Sequence, residues 1–92
     1  MGVMQRVVVS GRVRQVGYRD WITRQAYRLG ITGWIRARSD TSVEMLAEGD
    51  AAALEAFLAA SRQGPMLARV EDVVAQPADD RAVRGFTKRL PL

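Results

Sequence analysis

Ninety-two residues with 48% apolar side chains are enough for one small domain with its own core, spanning residues 1–92. The chain has no cysteine and no histidine, which excludes disulfides, a thiolate nucleophile, an imidazole base and an ordinary transition-metal site; no metal and no cofactor is expected. The net charge of +4 is unevenly spread: residues 1–38 set eight arginines against Asp20 alone, and residues 39–92 set six basic against nine acidic residues. That favours an anionic partner for the first half, unless strands of one sheet interleave the halves and cancel the asymmetry.

Met1 to Met4 reads as a loose end. The first predicted strand is Gln5–Ser10, carried by the β-branched run Val7, Val8 and Val9. Ser10 and Gly11 break it, and Gly17 gives a second flexible point before a predicted helix, Tyr18–Leu29. Strand, glycine-bearing loop and helix start, in that order, direct several backbone N–H groups outward at the positive end of a helix dipole, a favourable place for a small anion. Arg19 falls in the first helical turn, where a cation opposes the dipole and gains nothing locally. Holding a phosphate or carboxylate through its two-pronged guanidinium is one reason for its presence. General arginine usage is the other, because 13 of the 14 basic residues are arginine.

Tyr18, Ile22, Ala26 and Leu29 line one helical face, with Trp21 at its edge, and Gly30 ends the helix. The second predicted strand is Ile31–Arg38 and the third is Val43–Glu48. The polar turn Ser39–Ser42 joins them as a hairpin, in which Thr41 is a poor choice if the turn demands positive φ. Asp50 is the expected N-cap of a second helix whose buried face is Leu54, Phe57, Leu58 and Ser61, and Arg62-Gln63-Gly64-Pro65 stops it. A fourth strand runs from about Ala68 to Gln76. Its Val70 and Val73 stand three apart, which breaks alternation and predicts a bulge near Glu71 and Asp72. After the turn Pro77–Arg81, a last strand covers Val83–Arg89 with Phe86 inside it.

The order β-α-β-β-α-β plus a short extra strand predicts an α+β, ferredoxin-like α/β sandwich, with two helices on one face of a mainly antiparallel sheet and the other face open. Tyr18, Gly33 and Trp34 are expected at the sheet–helix boundary, and Arg36 and Arg38 at a solvated edge. Nucleic acid is a disfavoured partner, because Phe86 and Trp34 are the only obvious strand aromatics and no aromatic–basic motif accompanies them. The glycine spacing matches neither the dinucleotide nor the P-loop fingerprint. Neither a signal-like segment nor an apolar run of membrane-spanning length occurs, so a cytoplasmic protein without a membrane partner is expected.

The segment Gly11-Arg12-Val13-Arg14-Gln15-Val16-Gly17-Tyr18-Arg19 resembles the signature loop of the acylphosphatase family, G-x-V-Q-G-V-x-F/Y-R. The similarity continues through Ala26, Leu29-Gly30, Gly33-Trp34-Ile35-Arg36, Asp40, Val43-Glu44, Gly49, Gly64-Pro65, Ala68, Val70 and Val73. The resemblance implies a hydrolase that cleaves acyl phosphates to a carboxylate and inorganic phosphate, without metal or covalent intermediate. It implies that the loop amides, here of Arg14, Gln15, Val16, Gly17 and Tyr18, cradle the phosphoryl group. Arg19 would clamp its oxygens, and a strand-two asparagine would position the attacking water. The implied partners are a small acyl phosphate and inorganic phosphate or sulfate.

Four positions depart from the pattern. The motif's glutamine is Arg14, its central glycine is Gln15, the asparagine is Ala37, and the glycine after Asp40 is Thr41. A methyl group cannot hold a water, and one lost transition-state donor is worth about 10²–10³ in rate. Ser39 is a candidate substitute, read on the same strand face as Ala37 and roughly 7 Å further along. Two functions are therefore expected in competition: an acylphosphatase weakened at Ala37, or a catalytically inactive anion-binding or protein-interaction domain of the same fold.

Overall fold

The computed structural model describes residues 2–91. Seven elements follow one another: β1 Val3–Arg12, α1 Tyr18–Leu29, β2 Thr32–Ser39, β3 Ser42–Gly49, α2 Ala51–Gln63, β4 Arg69–Pro77 and β5 Phe86–Lys88. The sheet order is β4-β1-β3-β2-β5, with every pair antiparallel except β2 with β5. Each helix crosses between strands that are not neighbours, α1 from β1 to β2 and α2 from β3 to β4. Both helices pack on one face, so the chain has the α+β ferredoxin-like plan read from its sequence.

The core lies between that face and the helices. Val7, Val9, Ile35, Val43, Met45 and Ala47 from the strands meet Tyr18, Ile22, Ala26, Leu54 and Phe57 from the helices, all buried. Phe86 enters from β5 and stacks on Phe57, ring centroids 5.8 Å apart at a tilt of 60°. The Tyr18 hydroxyl donates to the Ser61 carbonyl at 2.8 Å, joining the start of α1 to α2. Burial pushes this phenol well above its ordinary range, and the hydrogen bond to Ser61 opposes the rise only in part. Asp50 caps α2 as expected, accepting from the Ala53 N–H at 2.8 Å.

The expected bulge is present. Ser10 pairs with Asp72 and Gly11 with Val70, so Glu71 is the extra residue, and Val70 and Val73 both pack against the core. Backbones approach so closely here that a Cβ on Gly11 would lie 2.1 Å from the Arg69 carbonyl oxygen. Four expectations need correction. Met1 lies outside the described residues, but Val3 and Met4 are not a loose end, because they pair with Gly49 and Glu48 at the head of β1. The last strand is only Phe86–Lys88, since Gly85, at φ 65°, turns the chain just before it. The Asp40–Thr41 turn requires no positive φ, so Thr41 is unstrained.

The fourth concerns the open face. Trp34 pairs with Leu46 on the side away from the helices, yet only 4% of it is exposed. The guanidinium carbons of Arg36 and Arg89 each lie 4.8 Å from a ring centroid of Trp34, and that of Arg6 lies 5.8 Å away. Glu44 holds two of these arginines, with Arg6 Nη1 at 2.9 Å and Arg36 Nη2 at 2.8 Å. Trp34 is therefore not at the sheet–helix boundary and Arg36 is not a solvated edge residue. Interleaved strands bring an acid from the second half of the chain between two arginines of the first, as one reading of the charge pattern allowed.

Candidate functional site

β1 ends at Arg12, and Val13 to Gly17 then loop back to the start of α1. Val13 anchors the loop in the core, its N–H donating to the Gly11 carbonyl at 3.1 Å. Gln15 has φ 60°, making it the one non-glycine residue with positive φ among the described residues. The resemblance puts a glycine at this position, and a side chain there carries about 1–2 kcal/mol of strain. Gly17, at φ 79°, is the N-cap of α1 and offers no side chain to cap it. The first helical donor with a partner is Trp21, bonded to the Gly17 carbonyl at 3.0 Å; among the described residues, no backbone carbonyl accepts from the N–H groups of Gln15 to Asp20. An uncapped helix start carries partial positive charge.

This helix start borders a cavity of about 420 Å³ lined by Val13, Gln15, Gly17, Tyr18, Arg19 and Asp20, with Lys88, Arg89, Leu90 and Pro91 forming the far wall. Arg19 is half-buried there, and among the described residues its guanidinium makes no ion pair and no hydrogen bond. Asp20 pairs with Lys88 across the cavity mouth. The hydrogen bond from Lys88 is the main reason the Asp20 carboxyl lies below its ordinary value, with the charges of Lys88, Arg24 and Arg19 adding to it.

Not every residue singled out from the sequence comes together here. Val16 packs against the core instead. Arg14 borders a second cavity on the other side of the loop, with Arg12, Asp40, Thr41 and Glu71, and donates through Nη1 to the Ser39 carbonyl at 2.8 Å. Ala37 is buried opposite Val43 and does not line the first cavity.

Ser39 does not share a face with Ala37. The register shifts between them, so Ser39 stands opposite Ser42 with the two hydroxyls 2.7 Å apart, on the side of the sheet that Val43 and Ala37 do not face. The extra residue in β2 inverts the alternation on which the expectation rested. The wall from Lys88 to Pro91 had no role in the sequence reading. Its one available signal was Lys88 itself, the single lysine of an arginine-rich chain.

Among the described residues, no group of three or more His, Cys, Asp or Glu side chains is placed to hold a metal ion, and no helix is long and apolar enough to cross a membrane. Residues 5–88 match the family model for acylphosphatase. An acylphosphatase of Acidiphilium cryptum is 46% identical over 87 residues, 95% of this chain and 96% of that protein. The crystal structure of acylphosphatase from Bacillus subtilis superposes with a TM-score of 0.85 at 32% identity, covering 97% of this chain and 99% of the other. An acylphosphatase structure from Coxiella burnetii gives a TM-score of 0.90 at 27% identity, over 96% and 93% of the two chains. These relatives are matched over nearly their full length, and the chain belongs to the acylphosphatase family.

Proposed function

We propose that this chain hydrolyses acyl phosphates to a carboxylate and inorganic phosphate in the cavity at the start of α1. The observation that carries the reading is Arg19, a half-buried guanidinium without a partner among the described residues, beside an uncapped helix N-terminus. A phosphoryl group there would accept from the backbone N–H groups between Gln15 and Tyr18 and from the guanidinium. Water adds in line to phosphorus while the carboxylate departs with the electron pair of the breaking P–O bond. A carboxylate is a good leaving group, so positioning and fixed positive charge meet most of the demand, and the absence of histidine and cysteine is no obstacle.

A second reading keeps the anion site but not the turnover. Ala37 offers no polar side-chain atom where the family pattern has asparagine, and the Ser39 hydroxyl is engaged with Ser42. Incubating the purified protein with benzoyl phosphate, with and without chelator, decides between them. Loss of substrate at the same rate in both is the expected outcome. A rate that collapses with chelator would contradict the proposed chemistry, and phosphate binding without turnover would establish the second reading.

A further inference from the structure

The ladder of β2 with β5 pairs Ile35 with Lys88, so the Lys88 side chain rises on the helix-facing side of the sheet. It lines the cavity and pairs with Asp20, the residue after Arg19. Ala37 follows Ile35 on that same side of β2, two residues or roughly 7 Å further along. A methyl group that does not reach the cavity lining thus occupies the asparagine position, while the neighbouring strand sends a cation into that cavity. Both partners are largely exposed, and an exposed ion pair contributes little to stability. The pairing therefore does not account for this residue by itself.

We propose that Lys88 is a water-positioning residue, supplying from the edge strand the hydrogen bond that Ala37 cannot. This rests on the acyl-phosphate reading above. An ammonium has three donors. One is held by Asp20, which fixes the position of Nζ, and two remain to hold a water against a phosphoryl oxygen. The water oxygen then bonds to phosphorus and the P–O bond to the acyl group breaks, its electron pair leaving on the carboxylate. A water proton passes to a phosphoryl oxygen, so the products are the carboxylate and dihydrogen phosphate, and Lys88 keeps its proton throughout. A lysine suits this task better than an arginine, because an ammonium is a compact, strongly hydrated point charge on a flexible stem.

The test is a cycle of four proteins: wild type, Lys88→Met, Ala37→Asn and the double variant. For each, kcat and KM for benzoyl phosphate are measured alongside the affinity for inorganic phosphate by NMR titration. Lys88→Met is expected to lower kcat about 10- to 1,000-fold, with KM and phosphate affinity within about threefold of wild type. Ala37→Asn alone is expected to raise kcat less than about threefold, yet to recover most of the loss in the Lys88→Met background, a coupling that independent sites do not show. A Lys88→Met protein with wild-type kcat overturns the inference. So does a change confined to KM, which would make Lys88 a binding cation. A double variant as slow as Lys88→Met that still binds phosphate overturns it too. A wild type that turns over no acyl phosphate removes the hydrolase reading and this inference with it, whereas an active wild type with an equally active Lys88→Met removes the inference alone.

Discussion

Arginines serve opposite purposes at two places in this molecule. On the outer face of the sheet, Arg6 and Arg36 share the Glu44 carboxylate, and both lie with Arg89 around the ring of Trp34. At the start of α1, Arg19 has no such partner among the described residues and borders a cavity. A paired and stacked guanidinium is accounted for by the structure that holds it. One half-buried at a cavity, without an acceptor among the described residues, leaves its donors open to whatever enters from solvent. The difference comes from the neighbouring strand: β3 supplies an acid to the outer face and nothing to the cavity.

If that contrast is sound, removing Arg19 harms function and spares the fold. Arg19→Ala is expected to lower kcat/KM for benzoyl phosphate by about 10²–10³ and to weaken phosphate binding in an NMR titration, with unfolding free energy within about 0.5 kcal/mol of wild type. Equal phosphate affinity in the two proteins would break the contrast at its functional end.

Glu44→Gln is the converse. It leaves Arg6 and Arg36 without their shared charge and should cost about 1–3 kcal/mol in urea unfolding while phosphate affinity is retained. Burial pushes the Glu44 carboxyl upward, but the hydrogen bonds from Arg36 and Arg6, with their charges, more than offset it and leave the value below the ordinary glutamate range. A carboxyl depressed in the folded state stabilises the fold above its unfolded pKa, and the contribution is lost as pH falls through the folded value. The melting temperature of the wild type should therefore drop as pH falls below the usual glutamate range, and that acid limb should be shallower in Glu44→Gln. Parallel acid limbs in the two proteins would show that Glu44 is not the group responsible.

The smallest effect is expected at Gln15, where strain rather than charge is at issue. Gln15→Gly relieves a positive φ but makes the unfolded chain more flexible, so a net gain of about 0.5–1 kcal/mol is expected. A loss of stability would mean that the glutamine side chain makes contacts worth more than its backbone strain.

The sequence by itself determined most of the secondary structure and the conformation-setting residues of the loop. Local signals carried these: the valine run of β1, the helical face Tyr18–Ile22–Ala26, the caps Asp50 and Gly30, and the three-residue spacing of Val70 and Val73 that marks the bulge. Each depends on residues close in the chain, where periodicity and capping chemistry act without reference to the rest of the fold. The glycine at Gly17 and the cation at Arg19 were legible for the same reason. Only the tertiary structure decided which side of the sheet Trp34 faces and that three arginines cover it. It also decided that one extra residue in β2 turns Ser39 away from Ala37, and that a short parallel strand brings Lys88 to Asp20. These depend on register and on pairs 25–68 positions apart, Arg14 with Ser39 and Asp20 with Lys88 among them. A single added residue reverses every side chain beyond it, and no local pattern in the chain records which strand will lie alongside.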